Sequence, residues 1–218
     1  MKVYQANNLK IMVDKTCIIE DATFSIEDGQ TVAIFGDLSE ASKLLSVLYL
    51  DVKPIDGEIF YFGQNLLSFN KNDIIEWRVN DVAQVNSHSA LFSELNVLNN
   101  IHFPMVINRK PIDAEYEKKL FSILSVSQLL NKEIKELDNY EYLKILIARS
   151  MIVKPFVLLM DDVDDSLSDD ERYKLVELIN SLNNNFKTTI IKTIKYQELG
   201  KLYSKVIYIE DKKLRETS

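Results

Sequence analysis

A buried strand that ends in a glycine and leads through a short polar stretch into an apolar helix most constrains what this chain can fold into. The strand is predicted at Thr31–Phe35, the glycine is Gly36, and the apolar helix is predicted at residues 44–50. Further apolar strands and amphipathic helices alternate along the rest of the chain. Strands that alternate with helices are typical of an α/β fold with a parallel sheet.

The same segment is built like a phosphate-binding loop whose phosphate contacts have been removed. Such a loop reads G-x-x-x-x-G-K-[ST], where backbone N–H groups and the lysine hold phosphates and the hydroxyl holds magnesium. Counting from Gly36 puts Ala41 at the second glycine and Ser42 at the lysine, with Lys43 one position late. Glu40 puts a carboxylate where phosphate would lie.

A second register aligns the apolar helix instead of the glycine. It moves Ser42 onto the Ser/Thr position and Ala41 onto the lysine position, so neither register supplies both glycine and lysine. Only five glycines occur in 218 residues, about a third of the usual number. The segment therefore indicates a nucleotide-binding scaffold that no longer hydrolyses nucleotide. Gly36 and Lys43 are the remaining candidates for contact with ATP and magnesium, whose binding we expect to be weak or lost.

Composition narrows the class of protein. A chain of 218 residues with 46% hydrophobic and 27% charged residues can form one α/β domain over residues 1–218. The net charge of −7 argues against a nucleic-acid binder, which usually has a basic face. Cys17 is the only cysteine, which excludes an intrachain disulfide and a cysteine metal cluster. The acidic run at residues 161–170 lacks the glycine and glutamate of an EF-hand loop, so we predict no metal site.

Periodicity predicts the following elements. Strands are predicted at residues 3–9, 18–26, 31–35, 58–62, 81–85, 156–160, 189–193 and 205–209. Helices are predicted at residues 44–50, 142–153 and 170–182, with a helical region at 97–130 that Pro104 and Pro111 break. The N-terminus lacks the apolar core of a signal peptide, and no apolar run is long enough to span a membrane, so we expect a cytoplasmic chain.

From Leu9 to about Leu214 the order of motifs resembles the nucleotide-binding domains of ATP-binding-cassette (ABC) transporters. These motifs are the strand, turn and strand before the loop, a P-x-x-G-x-I turn, the segment after the Q-loop, the helix after the signature, and the Walker B strand. They correspond to residues 26–34, 54–59, 91–101, 145–151 and 156–162. The resemblance implies a P-loop NTPase-like ABC ATPase fold with an antiparallel β subdomain and a helical subdomain at roughly residues 88–152.

The resemblance also implies where the catalytic residues of the family would fall. The Q-loop glutamine is replaced by Ser87, and the signature L-S-G-G-Q becomes residues 137–141, L-D-N-Y-E. Asp161 is the retained Walker B aspartate, while Asp162 replaces the catalytic glutamate and is one methylene shorter. The switch histidine falls at Ile194, which cannot polarise a phosphate. No catalytic motif is therefore intact. Since phosphoryl transfer depends on positioning and charge neutralisation, these replacements argue against ATP hydrolysis.

Within the ABC families, residues 89–92, 100–105, 176–183 and 209–214 are similar to ATPases of bacterial MCE/Mla-type phospholipid transport. Lipoprotein-release and cell-division ATPases share part of this pattern. The implied partner is a membrane permease, which would dock at roughly residues 87–130 and hold the chain on the inner face of the cytoplasmic membrane. The apolar residues expected at that surface are Phe92, Leu95, Phe103 and Met105, although each of them also suits a subdomain core.

Three functions remain open at the level of sequence. The first is a noncatalytic subunit of a bacterial ABC transporter that pairs with itself or with an active ABC ATPase beneath a permease. The second is an ATP-hydrolysing subunit with unusual motifs, which would rely on Lys43, Asp161 and Asp162. The third is a regulatory adaptor that kept the fold and left transport.

Overall fold

Residues 1–217, which the computed structural model describes, form ten strands, seven α-helices and three short 3-10 helices. The strands are β1 (Lys2–Val13), β2 (Thr16–Glu27), β3 (Thr31–Phe35), β4 (Asp56–Tyr61), β5 (Gln64–Asn65), β6 (Val82–Asn86), β7 (Val157–Asp161), β8 (Thr189–Ile194), β9 (Lys205–Glu210) and β10 (Lys213–Thr217). The helices are α1 (Leu38–Leu48), α2 (Lys71–Asn80), α3 (Val97–Ile107), α4 (Ala114–Leu124), α5 (Asn139–Met151), α6 (Asp169–Phe186) and α7 (Gln197–Gly200).

The larger sheet has six strands in the order β10-β9-β3-β8-β7-β6. Its strands are parallel except for β10, which pairs with β9 in the antiparallel direction. Strand β8 is buried at every position, and β3 and β7 are buried except at their last residues. Such central strands are covered on both faces, as expected for a parallel sheet. The carboxyl ends of β3, β6, β7 and β8 therefore meet at one edge, where open α/β sheets place their ligands.

The smaller sheet is antiparallel, with the strand order β2-β1-β4-β5. Its apolar face packs with α1 against one face of the larger sheet, and this core contains Ile26, Leu44 and Ile207. The second core lies on the other face of the larger sheet, where α3, α4, α5 and α6 pack. Each face of the larger sheet thus packs against its own apolar core.

Helices α3, α4 and α5 fall between residues 97 and 151. The break predicted at Pro104 is wrong, since Pro104 lies inside α3. A proline there removes one helical hydrogen bond, but α3 packs against α5, and tertiary packing commonly overrides local propensity. The predicted break at Pro111 agrees with the structure, since α3 ends at Ile107 and α4 begins at Ala114. Among the helices of residues 1–217, none has the length and apolar composition required to cross a bilayer.

Candidate nucleotide site and partner groove

The helix that follows β3 begins six residues earlier than the sequence predicted, at Leu38 instead of Leu44. Only Gly36 and Asp37 separate β3 from α1, and Asp37 is the N-cap of the helix. Its Oδ1 accepts hydrogen bonds from the Ser39 backbone N–H at 2.9 Å and from the Ser39 hydroxyl at 2.6 Å. The capping interaction explains the early start, because a side-chain acceptor satisfies an N–H that otherwise lacks a partner.

A carboxylate of the chain itself thus lies at the N-terminus of α1, where a phosphate-binding loop would present free N–H groups. The hydrogen bonds from the Ser39 hydroxyl and N–H lower the pKa of Asp37, so the group is ionised at neutral pH. Glu40 follows in the first turn of the helix. Partial burial and the nearby charge of Asp37 raise the pKa of Glu40.

Gly36 has a packing role that requires no ligand. A Cβ atom built at this position would lie 2.8 Å from the Ile209 carbonyl oxygen and 2.9 Å from the Ile209 Cβ. Such distances are too short for any side chain, so β9 can pass this point only if a glycine is present. The retained glycine is therefore explained by the close approach of two strands.

The contacts of Ser42 favour the second register, in which Ser42 takes the Ser/Thr position of a phosphate-binding loop. Its hydroxyl donates to Asp161 Oδ1 at 2.8 Å, which joins the first helix to the end of β7. The Thr193 hydroxyl donates to the same oxygen at 3.0 Å from β8. Lys43 lies within α1, and within residues 1–217 it forms no ion pair or hydrogen bond. The structure thus brings Ser42, and not Lys43, into hydrogen-bond contact with Asp161.

The segment at the signature position also closes a helix N-terminus with carboxylates. Asp138 is the N-cap of α5, and its Oδ1 accepts from the Glu141 N–H at 2.6 Å. The Glu141 carboxylate accepts in return from the Asp138 N–H at 3.3 Å, which completes a capping box. Two N–H groups of the segment at the signature position, those of Asp138 and Glu141, are therefore bonded within the chain.

Two lysines neutralise the acidic run after β7. The Lys192 ammonium donates to Asp164 Oδ2 at 2.7 Å, and both side chains are almost fully buried. Burial lowers the pKa of Lys192, although Asp164 acts in the opposite direction. Lys195 forms an ion pair with Asp162 at 2.9 Å and a second ion pair with Asp165. Burial disfavours the charge of Lys195, but contacts with Asp165 and Asp162 outweigh it and raise the pKa of the lysine.

The two remaining catalytic positions form no hydrogen bond with Ser42 or Asp161. Ser87 is exposed just beyond the end of β6 at Asn86, and it lines a pocket together with Asp162 and Asp165. Ile194 is buried at the end of β8 and belongs to the apolar core on the face of the larger sheet where α3, α4, α5 and α6 pack. Asp161 is thus the catalytic-position residue that the structure connects to Ser42, and Asp162 is paired with a lysine.

The four residues predicted at a docking surface divide into two groups. Phe92 and Phe103 stack with ring centroids 4.3 Å apart and line a surface groove, and Phe92 is 41% exposed. The prediction is wrong for Met105, which is buried in the core because it faces inward from α3. Leu95 is half-buried and lies outside the lining of the groove.

The groove lies between the edge of the larger sheet and the helical region, and its volume is about 410 Å³. Its wall is mostly apolar, with two arginines, Arg78 from α2 and Arg149 from α5. Among the described residues that line it, none is Asp or Glu. The apolar part of the wall includes Val79, Ala83, Phe92, Phe103, Ile107 and Val153.

Sequence analysis missed four residues of the candidate site. They are Asp37, Thr193, Lys192 and Lys195. A lysine in the otherwise uncharged run T-I-I-K-T-I of β8 was a usable signal, because a buried ammonium requires a partner. The capping role of Asp37 had a weaker signal, since Asp is a common N-cap but the helix start was placed too late.

Comparison with known families identifies the class of protein. The ABC transporter family model matches residues 19–164. The chain belongs to the ABC transporter family. The sequence motifs had predicted a resemblance to the ATP-binding domain of this family, and the match agrees with that prediction.

Individual relatives agree with this assignment. The methionine import ATP-binding protein MetN of Francisella tularensis subsp. holarctica is 29% identical over 99% of this chain. This chain spans only 61% of the length of MetN. The lipoprotein-releasing system ATP-binding protein LolD of Idiomarina loihiensis is 26% identical over 82% of this chain and 79% of LolD.

Solved structures confirm the predicted fold. The dimeric bacterial ABC transporter cassette MJ0796 superimposes with a TM-score of 0.82 at 18% identity, over 99% of this chain and 98% of its own. The protein cbiO1 of Clostridium perfringens, part of the ABC transporter complex cbiONQ, gives 0.88 at 18% identity, over 98% of this chain and 87% of its own. At this identity the likeness establishes the fold, an α/β ABC cassette with antiparallel and parallel sheets.

Proposed function

We propose that the chain is a noncatalytic ABC cassette subunit that docks on a membrane permease. It pairs there with a second copy of itself or with an active ABC ATPase, on the inner face of the cytoplasmic membrane. Its role is to hold the permease. Where the complex requires ATP hydrolysis, the partner ATPase carries it out.

The observation that supports this proposal is that two helix N-termini are closed by carboxylates of the same chain. Asp37 caps α1, and Asp138 with Glu141 caps α5. A magnesium-bound triphosphate is a poor fit for these residues, because it needs free N–H donors and cations while the chain presents carboxylates. Lys195 further neutralises Asp162, the residue at the position of the catalytic base.

The cargo of the complex would be set by the permease. Transport of a lipid remains our proposal from the sequence, and LolD carries the name of a lipoprotein-releasing system. MetN carries the name of a methionine importer. The groove lined by Phe92 and Phe103 is the proposed permease site, since it is apolar and faces outward between the sheet and α3.

ATP turnover by the purified full chain tests the noncatalytic role. We expect phosphate release no faster than in a protein-free blank, because neither register of the phosphate-binding loop has a lysine at the lysine position and Asp162 is paired with Lys195. The variant Asp162→Asn is the matched control and is expected to give the same trace. Turnover in the wild type that disappears in Asp162→Asn would contradict the proposal.

A second candidate function is an ATP-hydrolysing subunit with unusual motifs. Two contacts favour it: Asp161 is still held in place by the hydroxyls of Ser42 and Thr193. Under this alternative both Asp161→Asn and Asp162→Asn abolish a turnover that the wild type displays. The same assay therefore separates the two functions.

A further inference from the structure

Each carboxylate of residues 161–165 has a partner on β8 or directly after it. These carboxylates belong to Asp161, Asp162, Asp164 and Asp165. The Thr193 hydroxyl donates to the first of them at 3.0 Å, and the Lys192 ammonium donates to the third at 2.7 Å. Lys195 pairs with the other two. The loop that follows β7 is therefore held to β8 by side chains of the chain itself.

Lys195 bridges two carboxylates with one ammonium group. Its nitrogen lies 2.9 Å from Asp162 Oδ1 and also contacts Asp165 Oδ1. The Asp162 Oδ1 atom is shielded from water, and a shielded carboxylate oxygen needs a positive charge close by. Two neighbouring carboxylates also repel each other unless a cation lies between them. The ammonium of Lys195 meets both requirements.

The surroundings of Asp162 and Asp165 would otherwise suit a divalent cation. The two carboxylates line a cavity of about 220 Å³ together with hydroxyl and amide side chains. These side chains belong to Asn86, Ser87, Ser89, Asn139 and Ser166. Carboxylate, hydroxyl and amide oxygens are the donors that magnesium and manganese prefer.

A divalent cation does not fit between Asp162 and Asp165 while Lys195 is in place. Magnesium requires oxygen donors at about 2.0–2.1 Å in near-octahedral geometry, but the Lys195 ammonium already occupies the position beside Asp162 Oδ1. A second cation there would be repelled, because like charges a few ångströms apart interact strongly in a partly buried site. The positive charge of this loop is thus carried by a side chain.

We propose that the Lys195 ammonium is a tethered counterion that takes the place of a divalent cation between Asp162 and Asp165. It neutralises the loop after β7 and keeps that loop on β8 at any metal concentration. Because the charge is covalently part of the chain, the loop neither gains nor loses it as the surroundings change. The inference concerns the chain without nucleotide, so it does not depend on the proposed function.

Manganese binding, measured by electron paramagnetic resonance, tests the inference with the full chain. Free Mn²⁺ gives a signal that the bound ion loses. We expect Lys195→Met to bind Mn²⁺ at least about tenfold more tightly than wild type, since a positive charge close to the ion has been removed. Adding Asp162→Asn to Lys195→Met should abolish this gain, because the ion loses a charged oxygen ligand.

Two control variants make the result specific to the charge at position 195. Lys195→Arg retains the positive charge and is expected to bind manganese as weakly as wild type does. Lys53→Met removes a lysine at an exposed position before β4 and should also behave as wild type. The second control separates the local charge from the net charge of the chain.

A measurement on the wild type needs no substitution and decides the question if Lys195→Met does not fold. The nuclear magnetic resonance signal of the Lys195 ammonium should keep its chemical shift when magnesium chloride replaces sodium chloride at matched ionic strength. A signal that moves with magnesium, or manganese binding by folded Lys195→Met no tighter than in wild type, overturns the inference. Neither outcome affects the noncatalytic role, which is decided by ATP turnover.

Discussion

At the residue scale, Lys192 has the most demanding surroundings in the molecule. Its side chain is 1% exposed and that of Asp164 is 4% exposed, so neither charge is solvated by water. The Lys192 ammonium also donates to the Thr193 carbonyl oxygen at 2.9 Å. These two hydrogen bonds compensate the buried ammonium of Lys192. If Lys192 or Asp164 is removed, the charge of the other residue is left buried without compensation.

We predict that Lys192→Met lowers the free energy of unfolding by about 3–5 kcal/mol, because Asp164 is left buried without its cation. Urea unfolding followed by circular dichroism measures the effect. Lys195→Met is the matched control, since its ion pairs are partly exposed and should be worth about 1 kcal/mol or less. Equal losses in the two variants would mean that burial of the Lys192–Asp164 pair is not what matters.

Asp37 allows a prediction about pH. Its pKa lies below the ordinary value of 3.8 because Ser39 donates hydrogen bonds to the ionised form. The stability from this cap is therefore fully present above that ordinary pKa and is lost as the pH falls through the lower folded pKa, where the carboxylate takes up a proton. The side chain introduced by Asp37→Asn does not titrate, yet asparagine caps a helix about as well as aspartate.

We thus expect wild type to lose more stability than Asp37→Asn between about pH 6 and about pH 2.5. Urea midpoints of both proteins across this range give the difference, and nuclear magnetic resonance of the Asp37 carboxyl gives the pKa directly. If the two pH profiles are parallel, the carboxylate does not stabilise the start of α1 in the way described.

The residues of the candidate site were only partly predictable. Asp161 and Asp162 were placed from the apolar strand before them, since strand and turn are encoded locally. The contact between Ser42 and Asp161 joins positions 119 residues apart, so no local pattern reports it. Gly36 was read as a remnant of phosphate binding, while the structure gives it a packing role against Ile209 that depends on a distant strand.

At the element scale, α3 is the helix that relates the core to the groove. Met105 points into the core, while Phe103 and Ile107 line the groove and Val106 is 69% exposed. Successive residues of a helix are rotated about 100° from each other, so adjacent positions can face core and surface. The apolar content of this region alone did not distinguish the two faces.

This geometry predicts opposite results for two substitutions in the region. Phe92→Glu should leave the unfolding transition nearly unchanged and abolish cosedimentation with permease-containing membranes, because it places a charge in the docking groove. Met105→Glu should instead destabilise the fold by several kcal/mol, since it buries an unpaired carboxylate in the core.

Lys43→Ala serves as the control for Phe92→Glu, because Lys43 lies on α1 and outside the groove lining. It is expected to sediment with the membranes as wild type does. Cosedimentation that survives Phe92→Glu and fails with Lys43→Ala would indicate that the region around α1, and not the groove, contacts the permease.

The elements themselves were predicted best where apolar runs were continuous. Strand β3 was predicted at its observed bounds, and β8 and β9 each extend one residue further than predicted. Helix α2 was missed because its apolar residues do not form a helical stripe and only Trp77 is buried. Strand β10 was also missed, since its sequence K-L-R-E-T is polar and its pairing with β9 is a tertiary contact.

At the scale of the whole molecule, ligand binding would appear as added stability. A ligand that binds only the folded protein raises its free energy of unfolding by RT ln(1 + [L]/Kd). The closed helix N-termini lead us to expect a dissociation constant for Mg-ATP weaker than about 1 mM, a binding free energy of about −4 kcal/mol at most. At about 5 mM Mg-ATP the added stability is then no more than about 1 kcal/mol.

For a domain of this size that increment raises the melting temperature by no more than about 4 °C. Thermal unfolding with and without Mg-ATP measures it, and isothermal calorimetry gives the dissociation constant. Magnesium chloride alone and sodium sulfate at matched ionic strength are the controls for salt effects. A micromolar dissociation constant would contradict the noncatalytic role and revive the ATP-hydrolysing alternative.

The short connection between β3 and α1 has one further consequence. With only Gly36 and Asp37 between them, and with Ser42 tied to Asp161, α1 cannot shift against the sheet unless these contacts break. Helix α1 is therefore held in one position against the sheet. In a complex with a cassette that opens and closes, the timing of each transport step would come entirely from the other subunit, and this chain would provide the stationary side of the interface.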